Sequence, residues 1–210
     1  MIQNLGNWSS PPSVRPANSD DLTDVVRVHR IAFKGFFLDR MGSRFLKAYY
    51  QSILDYGAAI FLVNVDQSGT IDGFAVGFRD PNAYYAYFRS RRLHLLPIIG
   101  LSLLRRPALL IDVARNTRRV AAAREHMADV VELSSIGTSR LGAGIGSILL
   151  QAFCAESKRL GASEITLTTD RYGNDSVLNF YSKYGFDMQK SELRGTRVLQ
   201  VMTRNLEGHG

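Results

Sequence analysis

Apolar residues recur along this chain at two periods, alternating in some stretches and keeping helical spacing in others, and the switches between periods mark its elements. Val14 and Arg15 read as a short first strand. Ser19, Asp20 and Asp21 are cap-type residues ahead of Leu22, Val25, Val26 and His29, a spacing that predicts a helix. The aromatic-rich stretch from Arg30 to Gly42 carries Phe33, Phe36 and Phe37. Beyond it, Phe45, Leu46, Tyr49, Tyr50 and Ile53 predict a second helix over Ser43 to Asp55. Ala59 to Val65 and Thr70 to Phe78 are apolar and β-branched. Asp66-Gln67-Ser68-Gly69 between them favours a tight turn, so the pair predicts a hairpin.

Residues 82–127 carry few strand signals, and Pro97, Gly100 and Pro107 divide them into two or three helical pieces, the last running toward Arg124. Val130 to Ile136 predicts a buried strand and Gly137 to Gly144 a loop rich in Gly and Ser. The next helix sets Ile145, Ile148, Leu149, Ala152, Phe153 and Leu160 on one face and stops at Gly161. Glu164 to Thr168 predicts another strand, and Asn174 to Tyr184 a helix ended by Gly185. Two final strands cover Phe186 to Lys190 and Thr196 to Arg204. The order predicts an α/β fold without internal repeats.

Length and composition fit one domain: 210 residues, 45% apolar and 21% charged. We assign it to 13–206, with a flexible N-terminus over 1–12 and fraying at Glu207 to Gly210. The lone Cys154 excludes an intrachain disulfide, argues against a cysteine-based zinc site and favours a reducing, cytoplasmic setting. Its place beside Phe153 on an apolar face predicts packing. The N-terminus lacks the pattern of a secretory leader. Leu93 to Leu104 is the longest apolar stretch, well short of the roughly 20 residues of a membrane span. His29, His94, His126 and His209 lack metal-ligand spacing, so no metal is expected. A net charge of +7 suits an anionic ligand, nucleic acid or a membrane surface without choosing among them.

Candidate chemistry concentrates at Leu141-Gly142-Ala143-Gly144-Ile145-Gly146-Ser147, between a strand and an amphipathic helix. Glycines let the backbone approach an anion, and the helix's first N–H groups and positive dipole end point at it. Such a turn reads as a pyrophosphate cradle, with a plain flexible turn as its equal rival. A Walker loop needs Lys and then Ser or Thr after its last glycine, whereas Gly146 precedes Ser147-Ile148. The acidic residue of a dinucleotide fold, about 20 positions on, is not matched well either.

Three motifs make the sequence resemble the GNAT acetyltransferase superfamily. Ser134-Ser135-Ile136 leading into Leu141 to Gly146 is similar to its strand and Gln/Arg-x-x-Gly-x-Gly turn, with Leu141 where Gln or Arg is usual. Asn174 is followed seven residues later by Tyr181, and Tyr184-Gly185-Phe186 closes that helix. The resemblance implies an α+β mixed sheet with 82–127 as a helical insertion between the third and fourth strands. It implies acetyl-CoA as co-substrate, held by Ser134, Ser135 and Ile136 of a distorted strand, by Leu141, Gly142, Ala143, Gly144, Ile145, Gly146 and Ser147 at the pyrophosphate, and by Asn174 along its arm. Asn174 as a plain helix cap is an equal reading. Tyr181 would protonate the leaving thiolate, with core packing as its rival. Phe33, Phe36 or Phe37 would contact the acceptor, or pack in the core.

An amine acceptor must lose a proton before attack, which calls for a base. Glu132 shares strand parity with Ser134 and Ile136 and could face the cleft; Asp170, at a strand's C-terminal end, is a second candidate. Arginines crowd 89–124. They read as a solvated face, as a site for a phosphate-bearing acceptor such as a nucleotide-linked amino sugar, or, with the leucines among them, as peripheral membrane contact through 89–119. The function expected is acetyl transfer to a primary amine, with a small-molecule acceptor ahead of a protein N-terminus or lysine. A non-catalytic acyl-CoA sensor or partner-binding module is the alternative, and a homodimer stays open. A nucleic-acid binder stacking bases on Tyr84, Tyr85, Tyr87 and Phe88 fits least.

Overall fold

Strand alternation and helical spacing resolve into seven strands and six α-helices over residues 13–91 and 129–207, which the computed structural model describes. The strands are β1 (Ser13–Pro16), β2 (Ala59–Val65), β3 (Ile71–Phe78), β4 (Val130–Thr138), β5 (Glu164–Asp170), β6 (Asp187–Arg194) and β7 (Arg197–Asn205). The helices are α1 (Leu22–Ala32), α2 (Phe37–Arg40), α3 (Ser43–Tyr56), α4 (81–91), α5 (Ile145–Arg159) and α6 (Asp175–Lys183). The N-terminal tail, the insertion beyond residue 91 with most of its arginines, and residues 208–210 lie outside the described residues.

The sheet order is β1-β2-β3-β4-β5-β7-β6, and every neighbouring pair is antiparallel except β4 and β5. Strand β3 sets the two faces. Its large residues Phe74, Val76 and Phe78 join Val25, Leu46 and Tyr50 beneath α1 and α3. Its small residues Gly73, Ala75 and Gly77 lie on the other face, under α5. A Cβ built on Gly73 would come 2.6 Å from Ile145 and 2.7 Å from Leu149, and one on Gly77 would meet Phe153 and the Glu132 carbonyl. The missing side chains therefore let α5 lie directly on the sheet. Its buried Ile145, Leu149, Leu150, Phe153 and Cys154 pack there with Val131, Leu133, Ile165 and Leu167.

The predicted hairpin turn forms as expected: Asp66 accepts from the Ser68 and Thr70 N–H groups, and Gly69 takes φ 82°. Three strand ends differ by two residues or more. β4 continues through Gly137 to Thr138 because Gly137 pairs with Phe74 and fits tightly beneath Ala32 and Phe33. β5 extends to Asp170, paired with Leu199, and β6 runs on to Arg194, closing a hairpin with Arg197. Tyr84 is fully buried and stacks on Phe78 with centroids 4.2 Å apart, so that ring is core and unavailable to a base.

Candidate active site

The distortion expected around Ser134 is a β-bulge. Opposite β3, Gly77 pairs with Leu133 and Val76 with Ser135, leaving Ser134 as the extra residue. One inserted residue resets parity. Glu132 lies opposite Phe78 and so faces the α1 side, whereas Ile136 lies opposite Ala75 and packs on the α5 side. The shared parity of Glu132 and Ile136 expected from the sequence is therefore corrected by the bulge between them.

At the same place β4 and β5 part. They are paired from Val130/Glu164 to Leu133/Leu167, and beyond that both strands continue without pairing to each other. Ser134 to Thr138 on one side and Thr169 and Asp170 on the other border a wedge-shaped gap. A cleft of about 240 Å³ opens there, lined among others by Glu132, Ser134, Thr168, Asp170, Arg194 and Arg197. It suits a small molecule, falling just below the ~300–1,000 Å³ of drug-sized pockets.

Beyond β4 the chain turns into α5 through the glycine loop. Gly142 and Gly144 hold φ of 74° and 77°, a left-handed conformation that only glycine takes without strain. Helical bonding starts at Ser147 and Ile148, whose N–H groups donate to the Gly144 carbonyl at 3.0 and 3.1 Å. The N–H groups of Gly142, Ala143, Gly144, Ile145 and Gly146 donate to no acceptor among the described residues. A row of open donors at the positive end of a 15-residue helix is chemically suited to a diphosphate. Leu141 is 96% exposed and contributes only backbone. The guanidinium beside the turn belongs instead to Arg140, held by the buried Asp72 at 2.7 Å, which also accepts from the Asn64 amide at 2.6 Å. Arg140 was not singled out from the sequence. Its signal was adjacency to Leu141.

Asn174 begins α6 but does not cap it with its side chain. Its amide donates instead to Thr169 Oγ1 at 2.8 Å and the Asp170 carbonyl at 3.1 Å, tying α6 to the end of β5. The plain-cap reading is thereby corrected. Seven residues on, Tyr181 is buried in the core on the α5 side, with the Phe180 and Phe186 rings at 5.2 and 5.5 Å. Its hydroxyl has no hydrogen-bond partner among the described residues, and burial pushes the phenol well above its ordinary pKa. Gly185 at φ 76° turns the chain so that Phe186 N–H reaches the Tyr181 carbonyl.

The remaining candidates divide. Phe33 and Phe37 are partly buried against core clusters, whereas Phe36 is exposed and lies under the Arg197 guanidinium, 5.4 Å from ring centre to Cζ. Asp170 lines the cleft, but its carboxylate is gripped by Arg197 through bonds of 2.8 and 2.5 Å. Glu132 lines the same cleft. Burial pushes the Cys154 thiol up and leaves it in the core, as its packing position predicts. Arg194, Arg197 and Leu199 were missed because they sit on a hairpin with no local motif.

A family model described as the acetyltransferase (GNAT) family matches residues 25–186. The chain belongs to the GNAT family. No curated protein matches it in sequence. Solved structures share the GNAT fold at low identity. Salmonella typhimurium YncA, solved with its cofactor acetyl-CoA, is similar at 15% identity and TM-score 0.59, over 96% of this chain and 97% of that one. PaiA N-acetyltransferase from Thermoplasma acidophilum, in complex with coenzyme A, gives 15%, TM-score 0.57, and 93% and 99% coverage. An N-acetyltransferase from Staphylococcus aureus Mu50 gives 17%, TM-score 0.59, and 94% and 100%. The mixed sheet thus belongs to a GNAT scaffold. Among the described residues no three or more His, Cys, Asp or Glu gather as metal ligands, and no helix is long and apolar enough to cross a membrane.

Proposed function

We propose that this chain transfers an acetyl group from acetyl-CoA to a primary amine by direct attack within a ternary complex. The observation that carries the reading is the parting of β4 and β5 after Leu133 and Leu167, on the strand that leads into a helix start where the N–H groups of Gly142 to Gly146 have no acceptor among the described residues. The diphosphate would lie on Gly142 to Gly146 with Arg140 beside it, and the arm would descend into the gap, where the edge of β4 beyond Ser134 offers backbone groups to its amides. Bound acetyl-CoA supplies an activated thioester. The remaining work falls to side chains on the two faces of the gap.

Glu132 and Tyr181 stand on opposite faces of the sheet, Glu132 on the α1 side and Tyr181 in the α5-side core. An amine arrives protonated at neutral pH, its pKa being near 10, so Glu132 takes a proton from it directly or through a water. Tyr181 is the group we assign to protonate the departing thiolate; burial holds its proton more tightly, so donation calls for the thiolate's negative charge to develop beside the hydroxyl, and the second proton lost from nitrogen as the amide forms restores the phenol. Base and acid on opposite faces suit a reaction in which the amine enters from one side and the thiol leaves on the other, without an acetylated enzyme between.

Incubating the purified protein with acetyl-CoA and a panel of primary amines, and measuring free thiol, tests this. We expect amine-dependent thiol release. Binding of acetyl-CoA with no release from any amine would turn the reading toward an acyl-CoA sensor.

A further inference from the structure

Resting on the acetyl-transfer reading, we infer that the acceptor is a small zwitterionic amine carrying a carboxylate or phosphate, and that Arg197, with Arg194, binds that anionic group. Four charged side chains line the cleft: Glu132, Asp170, Arg194 and Arg197. Glu132 and the arginines are set apart in it, with Asp170 at the arginine end bound to Arg197. Glu132 stands on β4 beside the bulge, where the reaction takes place, and the two arginines stand together at the tip of the β6–β7 hairpin, paired in register at Arg194/Arg197. A ligand with ammonium and anion at its two ends matches that arrangement, whereas a neutral amine uses only one end of it.

Both arginines retain donors for this task. Arg197 spends Nε–H and one Nη2–H on Asp170, and Arg194 spends the same two on Glu192, at 3.3 and 2.7 Å. A guanidinium has five N–H groups, so three on each have no acceptor among the described residues. Their protein partners hold the planes still. Asp170 grips one edge of Arg197, and the exposed Phe36 ring lies against its face. Those contacts orient the outer edge of the fork, and a fork held in place is what bidentate recognition of carboxylate or phosphate needs. They also bind together β5, the β6–β7 hairpin and the loop after α1, so the anion site is built from three separate parts of the chain.

The test compares matched acceptors in one enzyme: alanine against alaninamide for carboxylate, and phosphoethanolamine against ethanolamine for phosphate, each by thiol release. The wild type should favour at least one anionic member by kcat/KM. In Arg197→Gln and Arg194→Gln that preference should collapse by roughly 10- to 100-fold, mainly through KM, the scale of a lost charged hydrogen bond. Arg197→Lys, which keeps charge but not the fork, should recover only part of it. A purely structural role would lower both members of a pair together and leave their ratio intact. An intact ratio in both variants, or no anionic preference in the wild type, overturns the inference and leaves acetyl transfer standing. Absence of thiol release with every acceptor overturns the acetyl-transfer reading and this inference with it.

Discussion

Gly146 lies beside the ring of Phe180, and a Cβ built on it would sit 3.6 Å from Phe180 Cζ, an ordinary contact. The protein itself thus has room for a methyl group there. Gly146→Ala should keep or slightly raise the melting temperature, since alanine suits a helix better than glycine. It should nevertheless weaken acetyl-CoA binding by about tenfold, or ~1.4 kcal/mol, because the methyl occupies the ligand's approach. Calorimetric titration beside a thermal melt separates the two effects. Unchanged affinity would remove Gly146 from the cradle.

Tyr181→Phe deletes a hydroxyl that has no partner among the described residues, so little stability should be lost. If that hydroxyl protonates the thiolate, kcat should fall by about 10²-fold while the acetyl-CoA Kd stays put. Stopped-flow thiol release and equilibrium titration make the comparison. An unchanged kcat would return the residue to core packing with Phe186.

Gly77→Ala tests the close seating of α5. The added methyl would press on Phe153 and on the backbone carbonyl of Glu132, which cannot rotate away. We expect a loss of about 1–3 kcal/mol in urea unfolding, the usual cost of overpacking. The bulge at Ser134 lies just beyond, so kcat should suffer as well.

His29 gives stability a pH slope. Its side chain is 3% exposed, Nδ1 is 2.7 Å from the Tyr50 hydroxyl, and Nε2 has no partner among the described residues. Burial pushes its pKa down to about 4, against an opposing pull from Asp39. Between that value and its ordinary 6.5 the unfolded chain binds more protons than the folded one, so stability is full above 6.5 and falls as pH drops toward 4. Urea midpoints through this window should decline, and His29→Gln should flatten the decline. An unaltered slope in the variant would assign it to other groups.

Much of this arrangement could be read from residue order, and the failures share a cause. The glycine turn and the helix start were legible because both are local properties of Gly142 to Gly146. The hairpin at Asp66 to Gly69 was legible for the same reason. Glu132 lines the cleft as its strand position suggested, but its shared parity with Ile136 was misjudged, because the bulge at Ser134 adds one residue opposite Val76 and Gly77, far away in the chain. The end of β6 was misplaced because its alternation runs against hydrophobicity: the apolar Leu193 is exposed while the charged Glu192 and Arg194 are half-buried. Asp170 looked available because its partner Arg197 lies 27 residues on. Interactions that close over long sequence distances leave no periodic trace.

A seven-stranded open sheet ordinarily has two borders, but the divergence of β4 and β5 gives this one four. Beyond Leu133 and Leu167 the two inner borders do not pair with each other, which leaves room for another chain-like molecule between them. An extended thioester arm with two amides would act as a short eighth strand, stitching the β1–β4 half to the β5–β7 half. Ligand binding would then be felt in the mechanics of the whole domain. Amide hydrogens that face the gap from β4 beyond Ser134 should exchange more slowly once acetyl-CoA is added, and the two halves, already joined by four residue pairs and a shared core, should gain one further tie.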